Sequence, residues 1–127
     1  LVFYAYNAKD EYNLTALESN DDGKTWGAPF KVPVKKIARN PQVGYVNGQY
    51  IVHGRSEEGM NFVFYHSKDG INWDEGTIVN EGRIGGCYYS NNITVNGVDG
   101  KERLLVQYSE SYQRAQTNII HAWIEVE

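Results

Sequence analysis

One cysteine, one methionine and three prolines in 127 residues exclude several classes of protein. A lone Cys87 can build neither an intrachain disulfide framework nor a cysteine-based metal knuckle, and it reads as a small buried residue in a strand. No apolar run approaches the roughly 20 residues of a membrane helix, and no basic start followed by an apolar core marks a leader. The chain opens directly on Leu1-Val2-Phe3-Tyr4, which suggests a piece whose address lies upstream. Excess positive charge is also missing. Twelve Lys and Arg stand against sixteen Asp and Glu, so the net charge of −4 argues against a broad nucleic-acid surface. Sustained helical periodicity with capping signals is absent as well.

What is present is β-sheet chemistry. Ten Tyr and three Trp accompany short apolar or alternating runs broken by Asn-Gly and Asp-Gly, the pattern of an all-β protein. Strands are expected near Leu1 to Tyr6, Tyr12 to Glu18, Phe30 to Val34, Gln42 to Val46 and Tyr50 to Arg55. Five more are expected at Phe62 to His66, Thr77 to Val79, Tyr88 to Val95, Arg103 to Tyr108 and Asn118 to Val126. Asn47-Gly48 is the clearest hairpin turn, because both residues accept the positive φ of a type I′ turn.

An internal repeat orders these strands. Asp22-Gly23-Lys24-Thr25-Trp26 returns as Asp69-Gly70-Ile71-Asn72-Trp73, and the 47-residue interval from Trp26 to Trp73 suits one unit of four short strands. Ser19-Asn20-Asp21-Asp22-Gly23-Lys24-Thr25-Trp26 matches an Asp-box, Ser-x-Asp-x-Gly-x-Thr-Trp, at every defined position. Ser67-Lys68-Asp69-Gly70-Ile71-Asn72-Trp73 is one residue shorter between Ser and Gly. The Asp can satisfy turn N–H groups, the Gly can take a positive φ and the Trp can plug the hairpin, so Asp21, Asp22 and Asp69 read as structural. The other oxygen ligands of a calcium loop are missing.

On these motifs the chain resembles the sialidase (neuraminidase) family of BNR, or Asp-box, β-propellers. The resemblance implies an all-β propeller, of which about two and a half to three four-stranded blades are present, as pieces near 1–35, 36–80 and 81–127. A propeller has at least four blades, so the others would come from upstream sequence or from other copies of the chain. Tyr89-Ser90 and Leu104-Leu105-Val106-Gln107-Tyr108-Ser109-Glu110 look like that family's last blade, and Asn118 to Ile124 looks like its final strand.

The family resemblance further implies the C-terminal part of a secreted or extracellular glycoside hydrolase acting on sialic acid or similar acidic glycans. Tyr89 would be the nucleophile and Glu110 the carboxylate steadying an Arg. Arg55, at the end of a second strand, would grip the substrate carboxylate. A guanidinium fork matches a carboxylate, and a neutral Tyr avoids the repulsion a carboxylate nucleophile would meet beside an anionic sugar. Arg83, in Gly82-Arg83-Ile84-Gly85-Gly86, could reach a ligand from a glycine-flanked loop. No cofactor or metal is expected. His53, His66 and His121 occur singly, as packing or surface residues.

Under a second alignment Arg55 closes the family's Glu, strand, turn, strand, Arg pattern, with Asn40 where the Glu base would stand. That motivates a non-catalytic reading: a glycan-binding or structural propeller, such as a phage-tail module or an adhesin. Arg39-Asn40-Pro41-Gln42-Val43-Gly44-Tyr45 also looks similar to the Asp-Pro-x-Val blades of five-bladed furanosidases, again with Asn40 in place of a carboxylate. Asn13-Leu14-Thr15 and Asn92-Ile93-Thr94 match a glycosylation pattern that is frequent by chance. Lys35-Lys36 and Glu57-Glu58 read as solvated loop charges.

Overall fold

The computed structural model describes residues 2–7, 9, 13–56, 61–79, 89–113 and 116–126. All of the regular structure among them is β. The strands are β1 (Val2–Asn7), β2 (Asn13–Glu18), β3 (Phe30–Lys31), β4 (Arg39–Val46), β5 (Gln49–Arg55), β6 (Phe62–Ser67), β7 (Thr77–Val79), β8 (Ser90–Asn96), β9 (Glu102–Gln113) and β10 (Gln116–Ile124). Each expected strand is found. β3 stops at Lys31, short of the expected Val34, and β4 begins three residues early, at Arg39.

The strands form three antiparallel meanders in chain order: β1-β2-β3, β4-β5-β6-β7 and β8-β9-β10. Among the described residues they do not close on themselves. Asn47 and Gly48 turn β4 into β5 with φ of 49° and 75°, the two positive values the Asn-Gly pair foretells.

The middle sheet is covered on both faces, and strand alternation divides its side chains between two cores. Val52, Val63 and Tyr65 pack with Leu14, Ala16, Val32 and Ala38 against the first sheet. Val46, Ile51, Phe62 and Phe64 pack with Leu104, Val106 and Tyr108 against the third. This explains why β5 and β6 read as nearly continuous apolar runs.

Close approach at Gly44 seals the second interface. A Cβ there would lie 2.7 Å from Leu104 Cδ1 and 2.8 Å from Asn92 Oδ1. Thr94 Oγ1 donates to the Tyr45 carbonyl at 2.6 Å, tying β8 to β4. The outer face of the third sheet carries exposed Tyr89, Ile93, Ile119 and Trp123.

The link from the first to the second sheet is anchored as well. The Lys36 ammonium donates to the carbonyls of Glu75 and, at 2.8 Å, Gly76, and its backbone exchanges two hydrogen bonds with the Tyr65 hydroxyl. Lys36 is therefore a half-buried clasp whose head finds turn carbonyls, not the solvated loop charge its sequence suggests. Lys35 remains exposed, 2.7 Å from Glu75.

Candidate functional site

The two Asp-boxes occupy corresponding turns: β2 to β3 in the first sheet and β6 to β7 in the second. In the first box Asp21 Oδ1 accepts from the Ser19 hydroxyl and the Thr25 N–H, both at 2.8 Å, and Asp21 Oδ2 accepts from Thr25 Oγ1 at 2.6 Å. The Thr25 hydroxyl and N–H, together with Ser19, hold the Asp21 carboxyl down near about 2.

In the second box Asn72 replaces Thr25. Its N–H and Nδ2 donate to the two oxygens of Asp69 at 2.8 and 2.7 Å, and the Asn72 and Ile71 amides hold that carboxyl well below the usual range. The missing residue also removes one left-handed position. Asp22 and Gly23 have φ of 58° and 83°, whereas only Gly70, at 75°, does so in the second box. Both carboxylates are thus occupied by their own turns, as architecture requires.

The opposite end of the middle sheet carries Arg39 and Arg55. β5 ends at Arg55, the second strand of its meander, as the sequence pattern places it. Across the ladder its Cα partner is Arg39. The register slips between Arg39 and Gln42, where Asn40 takes a φ of 51° immediately before Pro41. A residue before proline ordinarily avoids helical φ/ψ, and a left-handed φ is uncommon for any non-glycine residue, although Asn is among those that tolerate it best. Gly54 makes the bulge possible, since a Cβ there would sit 2.6 Å from the Arg39 carbonyl oxygen. Asn40 therefore serves the backbone here.

Arg55 lies on the β5 face that carries Ile51 and His53 toward the third sheet. Tyr108 of β9 stacks on Phe62 with centroids 5.2 Å apart, and Phe62 is the ladder partner of Arg55. Glu110 follows Tyr108 by two residues on the same face of β9 and is only 3% exposed. Arg39, Arg55 and Glu110 are thereby gathered at one end of the interface between the second and third sheets.

Tyr89 is placed differently. Its N–H donates to Ser109 Oγ at 3.2 Å and its carbonyl accepts from the Ser109 N–H at 3.0 Å, extending the β8–β9 ladder by one residue. Ser90 and Asn92 point at His53, so alternation puts Tyr89, 61% exposed, on the outer face with Ile93. The fold brings Arg55 and Glu110 to one interface and leaves Tyr89 on the other side of the sheet. Arg83, Cys87, Tyr88, Glu57 and Glu58 lie outside the described residues.

Beside this cluster, His53 is fully buried. Asn92 Nδ2 donates to its Nε2 at 2.9 Å, which leaves Nδ1–H to donate to Ser90 Oγ at 3.0 Å. Burial between Phe62 and Phe64 pushes the imidazole down to about 4, so the ring is neutral near pH 7. Asn92, committed to His53, is poorly placed as a glycosylation acceptor. His66 meets Asp74 at 3.1 Å and His121 meets Gln107 at 2.8 Å. Among the described residues no group of three or more His, Cys, Asp or Glu comes together as metal ligands.

Comparison of the chain with known protein families, curated proteins and solved structures finds no match.

The Arg39–Arg55 ladder pair is the part of this site that sequence reading passed over. Arg39 was visible only as the residue before Asn40-Pro41. The signal that points to it is the Asn-Pro step, because a positive φ at that Asn slips the register and re-aims the residue before it. No helix among the described residues is long and apolar enough to cross a membrane.

Proposed function

We propose that these three meanders are consecutive blades of a sialidase-like β-propeller that recognises an acidic glycan, such as a sialoside, through Arg55, as part of a glycoside hydrolase. The observation that carries the reading is the division of labour along the middle sheet. Its Asp-box turn is occupied by its own hydrogen bonds, and its other end carries Arg55 on the face toward the third sheet, where Glu110 of β9 is buried. A guanidinium fork suits a sugar carboxylate. The repeated box at corresponding turns supports the blade assignment, and a secreted setting follows from the family resemblance.

The test is hydrolysis of 3′-sialyllactose by the full-length protein that carries this chain. Loss of turnover in both Arg55→Ala and Tyr89→Phe supports the hydrolase. Unchanged rates in both variants sink these site assignments.

A second reading is a propeller that binds glycans without cleaving them. Two observations favour it: Asn40 offers no titratable group where a base would stand, and Tyr89 does not share the face of Arg55. Saturable binding of 3′-sialyllactose without turnover would select this reading.

A further inference from the structure

We propose that Asn47 is a deamidation site, and that its conversion to aspartate or isoaspartate releases the β4–β5 hairpin from the third sheet. The chemistry belongs to the turn and holds whatever ligand the sheets recognise.

An Asn followed by Gly can close on itself. The Gly peptide nitrogen, after losing its proton to solvent base, attacks Asn Cγ; the new N–C bond forms, the Cγ–Nδ2 bond breaks and ammonia leaves. Water then opens the cyclic imide. Cleavage at Cγ gives aspartate, and cleavage at the main-chain carbonyl gives isoaspartate, whose backbone runs through Cβ and Cγ. Glycine favours the closure because it has no side chain to crowd the ring.

The chain has two such pairs, Asn47-Gly48 and Asn96-Gly97, and the fold treats them differently. The Gly97 N–H donates to the Lys101 carbonyl at 2.8 Å, so the attacking nitrogen is engaged in the β8–β9 turn. A Cβ on Gly97 would lie 2.4 Å from Asp99 Oδ1 and 2.6 Å from Arg103 Nη1, and Arg103 is itself fixed to Asp99 by bonds of 2.9 and 2.7 Å. Closure there must happen in a crowded, bonded turn. At Gly48 nothing beyond its chain neighbours lies within 4 Å of a Cβ position. Asn47 is exposed, and its Nδ2 donates to the Val126 and Glu102 carbonyls at 3.1 and 3.3 Å. Bonds of that length at an exposed turn open locally, without unfolding of the sheets.

The same bonds make the modification consequential. At Asn47 the hairpin of the middle sheet meets the third sheet: its backbone N–H donates to the Glu102 carboxylate, and its side chain reaches the first residue of β9 and the segment after β10. A carboxylate at position 47 has no proton for either carbonyl and stands beside the carboxylate of Glu102. Attraction becomes repulsion. Isoaspartate also adds a backbone atom, which the tight two-residue turn closing the Val46↔Gln49 pair has no room to absorb. Since the ammonia is lost to solvent, the release runs one way.

The experiment is peptide mapping by mass spectrometry of the full-length protein that carries this chain, incubated at mildly alkaline pH both folded and in urea. In urea Asn47 and Asn96 should convert at similar rates. In the folded protein Asn47 should convert several-fold faster than Asn96. Equal rates in the folded protein, or faster conversion at Asn96, would overturn the site. Asn47→Asp tests the consequence, because Asp also accepts the positive φ of this turn. The variant should lose a few degrees from its midpoint of thermal unfolding, and amide exchange should quicken at Glu102 and Val126. Adding Glu102→Gln should recover part of that loss by removing the like charge. An unchanged midpoint and unchanged exchange in Asn47→Asp would overturn the release.

Discussion

Tyr4 of the first sheet and Trp73 of the second meet edge to face, with ring centroids 5.7 Å apart and planes at 81°. The Tyr4 hydroxyl also donates to the Gly70 carbonyl, so the second Asp-box is fastened to the sheet before it. Burial raises the Tyr4 phenol to about 12. Trp26, the corresponding tryptophan of the first box, donates to the Gly23 carbonyl at 3.1 Å but is 43% exposed.

The two tryptophans should therefore differ in worth. Trp73→Ala removes an intersheet contact and is expected to cost about 2–4 kcal/mol, whereas Trp26→Ala should cost about 1 kcal/mol or less. Urea unfolding followed by circular dichroism measures both, and equal losses would show that the contact with Tyr4 contributes little.

The boxes themselves allow a finer comparison. Asn72→Ala should destabilise the second box much as Thr25→Ala destabilises the first, since each removes one side-chain donor to the box Asp. Asp22→Gly should be neutral or mildly stabilising, because Asp22 already adopts a φ of 58° and glycine does so without steric cost. Midpoints of thermal unfolding rank the three variants.

Gly54→Ala and Gly44→Ala test two close approaches. The added methyl would face the Arg39 carbonyl oxygen at 2.6 Å in the first case and Leu104 Cδ1 at 2.7 Å in the second. Losses of roughly 1–3 kcal/mol are expected in both. The Gly54 change faces backbone, which cannot rotate away, so it should cost the more.

Stability should fall on the acid side of neutrality because of His53. Its folded value of about 4 lies below the 6.5 of an unfolded chain, so the unfolded state binds the proton first. The contribution is fully present above pH 6.5 and is lost progressively as pH falls toward 4. His53→Gln, which keeps a polar group without the titration, should flatten the fall between those values. An unchanged pH profile in that variant would remove His53 as the cause.

The sequence by itself determined the all-β class, the positions of the strands, the Asn47-Gly48 hairpin and both boxes. These are local matters: turn residues, box spacing and alternating runs act over a few neighbours, so they can be read along the chain. Arg55 at a strand end was legible for the same reason, whereas His53 was expected only as a packing or surface residue and its full burial came from the fold.

The tertiary structure alone decided which residues share a face. One extra residue in a strand reverses every side chain beyond it, and the positive φ of Asn40 that produces the slip is held by Gly54 on the neighbouring strand. That is how Arg39 came to oppose Arg55. The pairing of Ser90 and Asn92 with His53, far away in sequence, likewise fixed the parity of β8 and turned Tyr89 outward. Parity depends on long-range contacts, which no local pattern records.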